Sequence, residues 1–175
     1  MTQMTEIIDG KRFSFPQGWQ VLKYDDSAFH RRQFQSFAGG SKAVDAVAVT
    51  DKHTVWLIEV KDYRRQRRGK PGSVFDEVAA KVRATLAGLA TARVRANNDN
   101  ERGFAEQAMR SDNIRIVLHL DQPCHPSRLF KHVVDPSTAT KSLQRAVRAV
   151  DPHAICYGCG VNTGNLPWTV ECIAE

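Results

Sequence analysis

Two apolar runs, separated by a short polar segment, occupy residues 43–50 and 54–60. Each run is rich in valine, isoleucine, alanine and tryptophan and has the length of a buried strand. The connecting residues Asp51, Lys52 and His53 favour a β-hairpin, because a tight antiparallel pair needs only a few polar turn residues. Side chains alternate between the two faces of a strand, and here both faces are largely apolar. We therefore expect a sheet that is covered on both sides.

Three charged residues interrupt this apolar pattern, namely Asp45 in the first run and Glu59 and Lys61 at the end of the second. If the loop has an odd length, with Thr50 opposite Thr54, then Asp45 lies opposite Glu59 at a Cβ separation of ~4.5–5.5 Å. A loop of even length would place the two carboxylates on opposite faces. We predict the odd loop. Two carboxylates this close in a partly dry sheet repel each other, so either one is protonated or a cation lies between them.

The remaining periodic segments predict alternating strands and helices. The long helix has Ser73 as its N-cap and an apolar stripe at i, i+3, i+4 spacing. Its Glu77 and Lys81 are expected to form an ordinary surface ion pair. The predicted elements are a strand at 19–24, helices at 74–96, 102–109 and 135–150, and strands at 113–120, 153–157 and 168–173. This order indicates an α/β fold, a mixed central β-sheet flanked by helices, in a single domain spanning 1–175.

Composition narrows the class of protein and of partner. The chain has 175 residues, 42% hydrophobic and 25% charged, with a formal net charge of +6, which is typical of a globular protein with a polyanionic partner. No apolar run has the length needed to span a membrane, and the first residues carry no secretion signal, so we expect a cytoplasmic protein.

The four cysteines are accordingly expected as reduced thiols and not as a disulfide framework. Cys156 and Cys159 have the spacing of half a zinc knuckle, which Cys124 with His125, or Cys172, would complete. Buried or incidental thiols are the favoured interpretation of this pair.

A run of basic residues follows the hairpin. Together with the lysine that precedes the hairpin, these side chains predict a loop that contacts nucleic-acid phosphates. The alternative is a solvated loop without a partner. The residues are Lys42, Arg64, Arg65, Arg67, Arg68 and Lys70.

Asp45 is followed, after thirteen intervening residues, by Glu59-Val60-Lys61 on the adjacent predicted strand. This arrangement resembles the PD-(D/E)xK nuclease superfamily, in which Asp45 matches the metal-binding aspartate and Glu59 and Lys61 match the (D/E)xK element. Val44 stands where the family usually has proline. The resemblance implies a restriction-endonuclease-like fold and metal-dependent hydrolysis of DNA phosphodiester bonds.

The family often adds a carboxylate ligand from a helix before the hairpin, and here Asp25 or Asp26 are the candidate additional acids. Magnesium, or manganese, would be held by Asp45, Glu59 and the Val60 carbonyl, because hard divalent cations prefer oxygen ligands. Lys61 would orient the attacking water or stabilise developing negative charge.

The expected function is therefore a deoxyribonuclease of DNA repair, restriction or defence, with DNA as the expected partner. A homodimer or a protein partner would supply specificity. The alternative is a catalytically inactive nuclease fold that binds nucleic acid or acts as a regulatory interaction module.

Overall fold

The computed structural model describes residues 4–65, 68–129, 131–161 and 165–173. The strands are β1 (Met4–Ile8), β2 (Lys11–Phe15), β3 (Gln20–Leu22), β4 (Ala46–Val49), β5 (Thr54–Asp62), β6 (Asn113–Asp121), β7 (Ile155–Tyr157) and β8 (Thr169–Cys172). The helices are α1 (Val74–Arg95), α2 (Asp99–Met109) and α3 (Ala139–Val147), with a π-helical turn at His30–Phe34 and a 3-10 turn at Phe37–Gly39.

A five-stranded mixed sheet with the order β3-β4-β5-β6-β7 forms the centre of the fold. Strands β3, β4 and β5 pair antiparallel, whereas β5, β6 and β7 pair in parallel. The parallel pairs need long crossover connections, which α1 with α2 and then α3 provide. The predicted α/β fold with a mixed, helix-flanked sheet is confirmed.

Both faces of the central sheet are covered, as the apolar pattern of the hairpin predicts. On one face, Val47 and Leu57 pack in a core with residues of all three helices, such as Val78 and Leu143. On the other face, Ala48, Trp56 and Ile58 pack against the small sheet β1-β2-β8, which contributes Phe13 and Phe15. The hairpin therefore lies in the middle layer of three.

Strand β8 of the small sheet was predicted, as the strand at 168–173, but β1, β2 and their pairing into a sheet were not, because these strands are short. The buried positions of β2 alternate with more exposed ones, but two inward phenylalanines in five residues resemble a turn-rich segment as much as a strand. Only pairing with β1 and β8, at opposite ends of the chain, makes the strand stable.

Helix boundaries follow local capping. The Ser73 side chain caps α1 by accepting a hydrogen bond from the Phe75 amide, as predicted. Helix α2 starts earlier than predicted, because the Asn98 side chain accepts from the amides of the next turn. Helix α3 starts later, because the Asp135 carboxylate accepts from the Ser137 amide and hydroxyl, forming a separate turn.

The cysteines differ from the expectation of reduced thiols. Cys124 and Cys159 form a disulfide, Cys156 lies in the core, and Cys172 is a free, exposed thiol. The pairing arises because the Gln122 amide donates to the Cys159 carbonyl at 3.0 Å, which places the segment after β6 beside the turn after β7. Cys156 and Cys159 therefore do not form half of a zinc site.

Within the described ranges, none of the helices combines the length and the apolar character that a membrane span requires.

Candidate functional site

The register of the hairpin brings the two predicted carboxylates together. Val49 pairs with Val55 and, at the other end of β4, Ala46 pairs with Ile58. The Thr50 amide donates to the Thr54 carbonyl at 2.9 Å, so the loop is odd, as predicted. Extending this register by one residue places Asp45 across from Glu59.

Asp45 is fixed by contacts on both sides. Its carboxylate oxygen Oδ2 accepts a hydrogen bond from the Val60 amide at 2.6 Å, and its backbone carbonyl accepts from the Tyr24 amide at 3.0 Å. The preceding Val44 amide donates to Thr85 Oγ1, on helix α1, at 3.0 Å. The aspartate is thereby held between the segment after β3, strand β5 and helix α1.

The cation between the two carboxylates is the ammonium group of Lys81. Its Nζ lies 2.6 Å from Glu59 Oε1 and 3.6 Å from Asp45 Oδ1. The Nζ of Lys61 lies 2.7 Å from the same Glu59 oxygen. Asp45, Glu59, Lys61 and Lys81 thus form a cluster with two negative and two positive groups, which we call the carboxylate–lysine cluster.

The prediction that Glu77 and Lys81 form a surface ion pair is wrong. Lys81 turns inward to the cluster, while Glu77 binds Lys61 at 3.5 Å and Arg68 at 3.1 Å. A signal for this was present in the sequence, because Lys81 is three residues after Val78, which belongs to the buried stripe of α1.

Burial raises the pKa of Glu59 to about 7, and the neighbouring Asp45 charge adds to this effect. The side chain is only 1% exposed, so its charged form loses most of its hydration. Burial lowers the pKa of Lys61, but the Glu59 and Asp45 carboxylates outweigh burial and hold it above its ordinary value. Lys61 therefore remains charged, as predicted.

The two candidate additional acids differ in position. Burial raises the pKa of Asp25 to about 6, with further contributions from the charges of Asp45 and Asp26, so Asp25 lies within electrostatic reach of the cluster. Asp26 is exposed and pairs with Lys23 at 3.1 Å and with Arg31 at 3.7 Å.

The cluster as it stands does not fit a magnesium ion. Asp45 Oδ1 and Glu59 Oε1 both face the Lys81 ammonium, and a divalent cation between them would have to displace it. Glu59 Oε2 is buried without a hydrogen-bond partner, but a single oxygen atom does not make a metal site. Within the described ranges, no three His, Cys, Asp or Glu side chains are grouped to hold a metal. Binding of Mg²⁺ or Mn²⁺ by Asp45, Glu59 and the Val60 carbonyl stays a prediction.

The predicted phosphate-contacting residues fall into two groups. Lys42, Arg65 and Lys70 are exposed. Arg64 donates to the Asp62 carboxylate, and Arg68 donates to Tyr63 and Glu77, so these two arginines organise the loop. Arg67 lies outside the described residues.

A second charged cluster lies on the opposite face of the sheet at the same end of β5 and β6. Lys11, only 1% exposed, places its Nζ 2.9 Å from Asp62 Oδ2 and 2.8 Å from Asp121 Oδ2. Burial alone would raise the pKa of Asp62, but Arg64 and Lys11 lower it to about 2. Sequence reasoning missed this cluster because Lys11 belongs to the small sheet.

Comparison with known proteins gives one relevant similarity. The chain is 29% identical, over 210 aligned residues, to a cysteine–tRNA ligase of Neisseria meningitidis serogroup A, and the match covers 96% of this chain but 30% of the ligase. No protein-family model matches the chain, and no solved structure matches it.

This similarity corrects the predicted function. The relative is a ligase for tRNA, which contradicts a DNA nuclease, a magnesium-dependent phosphodiesterase and a hydrolase. The geometry supplies a physical reason for the error. The D-x₁₃-E-x-K spacing does bring its residues together, but Lys81 neutralises the carboxylates that a nucleolytic metal would need.

Proposed function

We propose that this chain is an RNA-binding module whose partner is tRNA. The observation that carries the proposal is the similarity to a cysteine–tRNA ligase along 96% of the chain. The chain spans 30% of that ligase, so the proposal is restricted to binding and assigns no ligation chemistry. The net charge of +6 suits a polyanionic partner.

Helix α3 offers the surface that fits an RNA backbone. Lys141 and Arg145 of α3 and the C-cap residue Arg148 are exposed and follow i, i+4, i+7 spacing. Arg148 keeps helical φ and ψ, so the three side chains lie on one face. The opposite face buries Leu143 and Val147. No aspartate or glutamate occurs in residues 136–150. The three cations therefore extend over roughly 10 Å along the helix without an acidic neighbour on it. We call this surface the α3 basic face.

In this proposal the carboxylate–lysine cluster has a structural role. It ties Lys81 of α1 to the ends of β4 and β5 through Glu59 and Asp45. The exposed cations Lys42, Arg65 and Lys70 remain predicted phosphate contacts at the loop after β5.

Several sequence-based expectations remain proposals beside this one. They are the resemblance to the PD-(D/E)xK superfamily as a description of the fold, a homodimer or protein partner that supplies specificity, and the cytoplasm as the location of the protein.

Neutralising the α3 basic face should weaken tRNA binding and reduce its dependence on salt. We expect the triple variant Lys141→Gln, Arg145→Gln, Arg148→Gln to lower the slope of log K against log salt by about 2 to 3, because each lost phosphate contact removes roughly one unit. The measurement is fluorescence anisotropy of a labelled cysteine tRNA transcript, titrated at a series of salt concentrations.

The matched control is a second triple variant, which removes three positive charges from another part of the surface. Lys52, Arg93 and Arg95 are exposed, in the hairpin turn and the last turn of α1. Their replacement by glutamine should leave the slope within experimental error of the wild type. Equal slopes for the α3 variant and the wild type, or equal losses in both triple variants, would rule out the α3 basic face as the binding surface.

A further inference from the structure

A cleft of ≈ 380 Å³ opens beside the buried Lys11 ion pairs, and two cysteines are among its lining residues. They are Cys159, which is bonded to Cys124, and Cys172, whose thiol is free and exposed. His119 also lines it and is 4% exposed, with its Nδ1 buried and without a partner. Besides the ion pairs of Lys11, the cleft therefore contains a free thiol and an imidazole nitrogen without a hydrogen-bond partner.

A set of polar contacts through Arg64 and Asp121 connects the Cys172 thiol to the backbone amide of Cys159. Arg64 Nη1 donates to the Cys172 sulfur at 3.3 Å, and Arg64 Nε lies 3.9 Å from Asp121 Oδ2. The other oxygen of Asp121 accepts from the Cys159 amide at 2.7 Å. Both cysteines are therefore held around the same carboxylate.

The turn that carries Cys159 is packed closely onto the end of β6. Gly158 has φ +144°, and a Cβ at this position would collide with the Leu120 carbonyl oxygen. The turn can approach this closely only because residue 158 is glycine. This close packing keeps Cys159 beside the cleft.

We propose that this cleft is a thiol–disulfide exchange site, in which Cys172 attacks the Cys124–Cys159 disulfide. Exchange requires a thiolate, access to a disulfide sulfur and a leaving thiol. Cys172 is exposed, Cys159 lines the same cleft, and the Arg64 guanidinium is placed to stabilise negative charge on the Cys172 sulfur.

The step is balanced without an external oxidant or reductant. Cys172 releases its proton to water, and its thiolate attacks the Cys159 sulfur. The Cys159–Cys172 bond forms, the Cys124–Cys159 bond breaks, and Cys124 leaves as a thiolate that takes a proton from water. The number of disulfides and of thiols is unchanged. The covalent tether moves from the segment after β6 to strand β8.

Disulfide mapping by mass spectrometry tests the proposal on the intact chain. Protein kept free of reductant is quenched with acid, alkylated and digested. We expect two linkages, Cys124–Cys159 and Cys159–Cys172, which interconvert faster at higher pH because the attacking species is the thiolate. The Cys172→Ser variant should retain the first linkage alone.

Two further variants keep the test independent of that result. Cys124→Ser, oxidised with glutathione disulfide, should form the Cys159–Cys172 bond. Cys156→Ser should behave like the wild type, because burial raises the pKa of the Cys156 thiol to about 12 and keeps it unreactive. The proposal is overturned if Cys124–Cys159 is the sole linkage at every pH and the Cys124→Ser protein keeps Cys159 and Cys172 as separate thiols.

Discussion

Replacing Lys81 with methionine should lower the free energy of unfolding by about 3 kcal/mol, because it removes a cation from a buried carboxylate pair. Glu59 is 1% exposed and would then have Lys61 as its remaining ion-pair partner, while Asp45 would lose its contact with an ammonium group. Methionine keeps the length of the apolar stem, so lost packing contributes little. Urea denaturation followed by tryptophan fluorescence measures the change.

A second substitution separates charge from packing. Adding Glu59→Gln to the Lys81→Met protein removes one of the two neighbouring carboxylates that Lys81 no longer neutralises, and we expect it to recover at least half of the lost stability. The exposed Lys141→Met is the matched control and should change stability by no more than about 0.5 kcal/mol. If Lys81→Met is as mild as this control, the ammonium group does not bridge Asp45 and Glu59.

Acidification from pH 8 to pH 5.5 should stabilise the protein through Glu59. Its folded pKa of about 7 lies above the ordinary 4.5, so between these values the folded state binds the proton more readily than the unfolded state. Stability that is lost when Glu59 ionises is therefore regained as the pH falls through 7. At 1.36 kcal/mol per pKa unit, the gain by pH 5.5 is about 2 kcal/mol.

Other titrating groups act in the same pH range. Asp25, with its pKa raised to about 6, adds stability on acidification in the same direction as Glu59. His30 opposes it, since burial lowers its pKa and the unfolded state takes up a proton as the pH falls through 6.5. The carboxylates with lowered pKa values, such as Asp62, lose their contribution only at more acidic pH.

The contributions of these other groups cancel when the stability of the wild type is compared with that of the Glu59→Gln variant at each pH. The stability difference between the wild type and Glu59→Gln should shift in favour of the wild type by about 2 kcal/mol as the pH falls from 8 to 5.5. Denaturation midpoints measured across this range for both proteins give the difference directly. Parallel stability curves for the two proteins would mean that Glu59 has an ordinary pKa in the folded state.

The hairpin and helix α1 could be predicted because their physical causes are local. Continuous apolar runs of strand length indicate buried strands, an odd turn fixes register, and an apolar stripe after a serine cap indicates a helix. The opposition of Asp45 and Glu59 followed from these local rules. The prediction that a cation or a proton must separate them followed from electrostatics.

Lys81 and Lys11 could not be assigned to their sites, because their positions depend on contacts between distant segments. Lys81 reaches Glu59 only after α1 packs over the sheet, and Lys11 reaches Asp121 only after the small sheet closes over the other face. A spacing of residues such as D-x₁₃-E-x-K contains no information about a lysine that arrives from another element. The predicted nuclease function is contradicted by the similarity to a tRNA ligase, and the spacing gave no indication of Lys81.

The binding preference of the 175-residue chain tests its proposed function most directly. Labelled cysteine tRNA is titrated with the protein, and unlabelled DNA duplex with the same number of phosphates is the competitor. An RNA-binding module should bind the tRNA at least about tenfold more tightly than the duplex, a difference of about 1.4 kcal/mol. Equal or tighter binding of the DNA, or no binding of tRNA at low salt, would contradict the proposal.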